Sequence, residues 1–145
     1  MTEVIYIDGS GLRLGRAASK IAKHLMAGDK VVVVNVDKVA VSGDRDSVMS
    51  KYERWMAIRT LKNPEEVGMK QHRSPDRLFH SAVKNMLPKT PSGKAALKRL
   101  KVFIGTPGEF ANAQFKTIDE AHVRNLRGPY MELGEVSKSL GWSVQ

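Results

Sequence analysis

Residues 4–36, VIYIDGSGLRLGRAASKIAKHLMAGDKVVVVNV, decide the fold. The run VIYID at residues 4–8 is β-branched and aromatic and ends in Gly9-Ser10-Gly11, which reads as a strand running into a turn. Beyond it Leu14, Ala17, Ala18, Ile21, Ala22 and Leu25 recur at three- and four-residue spacing, while Arg16, Lys20, Lys23 and His24 lie largely off that stripe. With Gly28 as the stop, the spacing predicts an amphipathic helix over residues 14–27. Residues 31–36 are almost continuously β-branched, the composition of a strand buried on both faces of a parallel sheet. The order is β-α-β.

The pattern continues outward. Residues 38–42 (KVAVS) alternate like a further short strand, and after Gly43 a helix is expected over about 44–58, with Val48, Tyr52, Trp55 and Met56 sharing a face. Residues 59–74 lack periodicity and contain Asn63-Pro64 and Gly68, so they read as a loop. Ser74-Pro75-Asp76 is a helix start, and Leu78, Phe79, Ala82, Val83 and Met86 supply its apolar face until Pro88. A shorter helix over about 94–100 follows Pro91-Ser92-Gly93, then a strand over 101–105 (KVFIG). Residues 106–130 read mostly as loop, and a last helix is expected over 131–140. Alternating strands and helices argue for an α/β layer architecture with a mainly parallel sheet.

The chain has 145 residues, the size of one domain, with ordinary apolar (41 %) and charged (27 %) fractions, so it folds around a core of its own and is no large multidomain enzyme. It has no cysteine, which excludes a disulfide framework, a zinc ribbon and a thiol nucleophile. Its longest apolar stretch is far below the roughly 20 residues of a membrane span, and Glu3 and Asp8 stand where an export signal has a basic region. A soluble, unexported protein without a membrane partner is expected. The net charge of +9 calls for an anionic partner.

Distribution narrows the choice. Residues 71–101 carry Arg73, Arg77, Lys84, Lys89, Lys94, Lys98, Arg99 and Lys101 against Asp76 alone, so +7 of the +9 lies there. Spread evenly, the surplus would act as a solubility device; concentrated, it favours a binding face. Arg73, Arg77, His80 and Lys84 are spaced four, three and four, one ridge of the helix from Pro75, and the turn from Lys89 to Lys94 adds two more cations. Arginines fork onto phosphates and lysines act as point charges, so such an array suits a folded nucleic-acid backbone. Aromatic content is 6 %, which favours backbone and shape recognition over base-by-base reading. Tyr52 and Trp55 read as core, with base-flanking beside Lys51 and Arg54 as the alternative.

Enzymatic signals are weaker. Gly9, Gly11 and Gly15 between strand and helix, with Asp37 beyond the next strand, imitate a dinucleotide-binding unit, but the third glycine is displaced by one position from the fingerprint. His24, His72, His80 and His122 show no metal-site spacing, and no Gly-x-Ser-x-Gly nucleophile turn exists. No active site, cofactor, metal or small-molecule substrate is expected. The rivals to nucleic-acid binding are a small nucleotide-dependent oxidoreductase and a basic adaptor for an acidic protein.

At 33–43 (VVNVDKVAVSG), at Arg73-Ser-Pro-Asp-Arg77, at 82–89 (AVKNMLPK) and at 97–102 (LKRLKV) with Gly105, the sequence resembles a known family, with Asp8 and Leu14-Gly15-Arg16 matching its first strand and helix start. It is similar to the universal large-subunit ribosomal protein family number thirteen, closely over about residues 4–107. The ending, with Leu133-Gly134-Glu135-Val136 and Leu140-Gly141, resembles the archaeal and eukaryotic branch, and the short N-terminus favours an archaeal source. The resemblance implies a three-layer α/β/α sandwich around a mainly parallel four-stranded sheet, in one domain over 1–145 with a helical C-terminal extension from about 108. It implies a structural, non-catalytic constituent of the large ribosomal subunit, cytoplasmic and ribosome-bound, whose partners are large-subunit rRNA and neighbouring ribosomal proteins. Carried over by position, Arg73, Arg77, Lys84, Lys89, Lys94, Lys98 and Arg99 are the foremost RNA contacts, with Arg13, Arg16 and Lys20 second. The loop over 59–71 has no counterpart in the matched pattern.

Overall fold

Strand β1 (Val4–Asp8) pairs in parallel with β2 (Lys30–Val34), and helix α1 (Leu14–Met26) makes the crossover between them. The computed structural model describes residues 2–66 and 72–143. The apolar stripe read from the sequence, Ala17, Ala18, Ile21, Ala22 and Leu25, is the buried face of α1. It packs with Ile5, Ile7, Val31 and Val33 of the sheet and with Phe79 and Val83 of α3 (Pro75–Met86) in the main core. Alternation along a strand sends Tyr6, Val32 and Lys101 to the opposite face. There Phe110 and Phe115 pack on Tyr6, with ring centroids 5.6 and 6.2 Å away. The three-layer expectation puts helices on that face; at Tyr6 the cover is aromatic.

Among the described residues the main sheet has three strands where four were expected. Its order is β1-β2-β4, with β4 (Leu100–Val102) parallel to β2. The stretch expected as a further strand, 38–42, follows a 3-10 turn at Val36–Lys38 that takes in Lys38, and of it Ala40–Ser42 form the strand β3. It pairs antiparallel with β5 (Tyr130–Glu132), in a separate two-stranded sheet. Asn35, at φ 55°, turns the chain out of β2 so that residues 38–42 leave the parallel sheet.

The other elements fall close to their expected positions. Helix α2 (Arg45–Ala57) buries Val48 and Tyr52 against Met131 and Val136 in a second, smaller core. Helix α3 starts at Pro75 as expected, but Ser74 makes no side-chain cap bond and Met86, expected in the core, is 45 % exposed at the helix end. Helix α4 (Pro91–Leu97) begins three residues before its expected start, because Thr90 caps it through its hydroxyl to the Gly93 N–H, 3.4 Å. Residues 106–129 hold three 3-10 turns, and the last helix, α5 (Leu133–Ser139), starts where the Leu133 N–H meets the Val39 carbonyl at 2.7 Å. Of the loop expected over 59–74, residues 67–71 lie outside the described residues.

Candidate nucleic-acid interface

Helix α3 turns about 100° per residue, so Arg77, His80 and Lys84 fall along one side of it and the buried Phe79 and Val83 along another, while Arg73 precedes the helix, just ahead of its extended cap residue Ser74. Arg73, Arg77 and Lys84 are exposed, and none makes an ion pair among the described residues. His80 is half-buried. Burial, with the charge of Lys84 and His72 beside it, pushes its pKa below the ordinary histidine value against the smaller pull of Asp76, so near neutral pH the ridge carries three cations, not four.

Beyond α3 the chain folds back through Pro88 into α4, and Lys89, Lys94 and Lys98 stand exposed on this corner. Its sharpness rests on Gly93, where a Cβ would sit 1.9 Å from the Pro88 carbonyl oxygen. Thr90 holds the other side through its hydroxyl, 2.9 Å from that of Ser92 and accepting from the Gly93 N–H. Three exposed lysines are thereby carried on a rigid turn.

Three other expected contacts are engaged within the protein. Arg99 donates from Nη2 to the Leu25 carbonyl at 2.5 Å, tying the start of β4 to the last turn of α1. Arg13 donates to the carbonyls of Glu120 (2.6 Å) and Ala121 (3.4 Å), pinning the turn Asp119–Ala121. Lys20 pairs with Glu120 at 2.5 Å, and the Lys20 ammonium draws that carboxyl below its usual pKa range. Arg16 is exposed and unpaired among the described residues. Charge is legible in a sequence, but the carbonyl or carboxylate that will meet it is not.

The glycine turn after β1 is filled. A Cβ at Gly9 would stand 2.9 Å from the Val34 carbonyl oxygen, and Gly11, at φ +72°, faces the His122 ring, 3.2 Å from where its Cβ would be. Gly15 has nothing within 4 Å, so it does not serve the close helix–strand approach that the third glycine of a dinucleotide fingerprint provides. Burial pushes the Asp8 carboxyl up, but hydrogen bonds from the Ser10 N–H (3.0 Å) and Asn35 Nδ2 (3.1 Å) and the charge of Lys38 outweigh it and hold its pKa below the usual value. Asp8 fixes the turn. Among the described residues no cluster of three or more His, Asp or Glu could hold a metal ion, and no helix is long and apolar enough to cross a membrane.

A groove of about 860 Å³ lies between the start of α1, α2 and α3. Leu14, Val41, Tyr52 and Leu78 form its apolar floor, and Arg16, Lys51 and Lys84 are among its lining cations. Trp55 stands at its edge, 41 % exposed, with the Lys51 ammonium 5.0 Å from the ring centroid and Tyr52 edge-on at 5.3 Å. Spacing puts Trp55 on the face of Val48 and Tyr52, but α2 runs past the second core, so its last turn is uncovered. The sequence carried one sign of this, Trp55 placed directly after Arg54 and one helical turn beyond Lys51.

The family model described as Ribosomal protein L13 matches residues 2–109. A protein of Saccharolobus solfataricus named Large ribosomal subunit protein uL13 is 37 % identical over 97 % of this chain and 95 % of its own length. The protein of that name in Aeropyrum pernix is 41 % identical over 95 % of this chain and 90 % of its own. The one in Tetrahymena thermophila is 37 % identical over 99 % of this chain and 74 % of its own. The similarity spans the β-α-β opening, the ridge and the Pro88–Gly93 corner alike, and the chain therefore belongs to the ribosomal protein L13 family.

Proposed function

We propose that this chain is a structural constituent of the large ribosomal subunit that binds large-subunit rRNA through its basic central segment and supports subunit assembly. The family is one of ribosomal proteins and not of enzymes. The observation that carries the RNA-binding part is the exposure of Arg73, Arg77, Lys84, Lys89, Lys94 and Lys98 along α3 and the corner after it. Counterion release from phosphates drives the binding, and the rigid corner supplies the fit of shape. Arg16 is a further contact from α1. Arg13, Lys20 and Arg99 shape the surface from within and meet RNA only with the donors their internal bonds leave over.

Residues 1–145 act as one unit in this reading, since Ala121 and Leu133 complete the main core and Met131 and Val136 the second. The protein works on the ribosome in the cytoplasm, with neighbouring ribosomal proteins as its other partners. Crosslinking of the tagged protein in its own cells, with sequencing of the attached RNA, tests this. Reads concentrated in a few large-subunit rRNA segments are expected. Reads scattered over messages, or complexes that survive nuclease treatment, would overturn it, the latter in favour of an acidic protein partner.

A further inference from the structure

We infer that the groove between α1, α2 and α3 receives one unpaired nucleotide of the bound RNA, its base laid against Trp55 and its flanking phosphates held by Arg16, Lys51 and Lys84. This rests on the RNA-binding reading and goes beyond it, since the ridge and corner need only a phosphate backbone.

Three observations carry it. The groove has an apolar floor and a cationic lining, with no acidic side chain among the described residues, the complement of a flat base attached to anionic phosphates. Trp55 is a large ring left open at the edge of that groove, and the Lys51 ammonium 5.0 Å from its centroid lies on a surface that a base can take over. Ser81 and Asn85, on the groove flank of α3, offer a hydroxyl and an amide with both donor and acceptor capacity for a base edge. A paired base in a duplex would have to give up its pairing and stacking to enter, a cost that an unpaired base does not bear, so the occupant is a bulged or single-stranded nucleotide. An acidic peptide would use the cations but leave the ring without a planar partner. Lys84 belongs to both the ridge and the groove and marks where backbone and base recognition meet.

The test uses the full chain carrying Trp142→Phe, so that Trp55 is its one tryptophan, and a single-stranded oligoadenylate of about ten nucleotides. Oligoadenylate should quench the Trp55 emission, and a duplex of the same length should bind with little quenching. By anisotropy of the labelled strand, Trp55→Ala should weaken oligoadenylate about tenfold, Trp55→Phe should restore most of that loss, and duplex affinity should not change. Binding of both RNAs without quenching would overturn the inference and leave the ridge standing. Equal quenching by polyglutamate would overturn it in favour of an acidic peptide. Failure to bind either RNA would bring down the RNA-binding reading as well.

Discussion

Gly93 lies beneath Pro88 so closely that a methyl group in place of its hydrogen would stand 1.9 Å from the Pro88 carbonyl oxygen. Backbone meets backbone there, and no side chain can swing aside to relieve the contact. Gly93→Ala should therefore cost about 2–3 kcal/mol, a fall in Tm on the order of 5–12 °C, and should displace Lys89 and Lys94. Gly15→Ala, with open space around it, should leave stability unchanged or raise it by up to about 0.5–1 kcal/mol. Calorimetry of the two variants separates the glycine that sets the corner from the one that only imitates a nucleotide-binding motif.

Replacing Arg73, Arg77 and Lys84 together by Ala removes three exposed cations and little packing. The slope of log affinity for large-subunit rRNA against log salt should flatten by about 2–3, with the thermal midpoint nearly unchanged. An unchanged slope would place the phosphate contacts elsewhere.

Because burial and neighbouring positive charge depress the His80 pKa in the folded chain, the unfolded chain takes up the proton first as pH falls. The stabilisation is complete above the ordinary histidine value of about 6.5 and is lost as pH falls from there through the lower folded value. Thermal melts from pH 7.5 down to 5 should show this loss, and His80→Gln should reduce it. At pH 7.5 the same variant should leave the salt slope of RNA binding unaltered, since the ring is neutral there.

Arg99 and Lys98 are adjacent and both basic, but only Arg99 bonds to the end of α1. Arg99→Met should lower stability by about 1–3 kcal/mol, because the carbonyl of the buried Leu25 loses its charged donor. Lys98→Ala should stay within about 0.5 kcal/mol and act on RNA affinity alone. Urea unfolding beside RNA titration of each variant distinguishes the two.

The opening β-α-β unit was legible because its periodicities, near two and near 3.6, are local and strong over several turns. The pairing of Ala40–Ser42 with Tyr130–Glu132 was not: each strand has three residues, too few for alternation to register, and its partner lies far along the chain. The ridge on α3 was legible for the same reason as the helix itself. That Arg13, Lys20 and Arg99 are spoken for was hidden, because their partners are carbonyls and a carboxylate distant in sequence. Trp55 was misplaced because periodicity reports the face of a helix and not how far along the helix the neighbouring core extends.

Strand β5 and helix α5 complete both cores from the far end of the chain. For a polypeptide made from its N-terminus at roughly 5–20 residues per second, the basic segment is synthesised seconds before the residues that close the structure behind it. Val48 and Tyr52 wait for Met131 and Val136, so the second core closes only after those residues are made, and a chain stalled before them presents its cations on an open fold. Synthesis of residues 130–139 thus becomes the step that turns a basic nascent chain into a shaped RNA ligand.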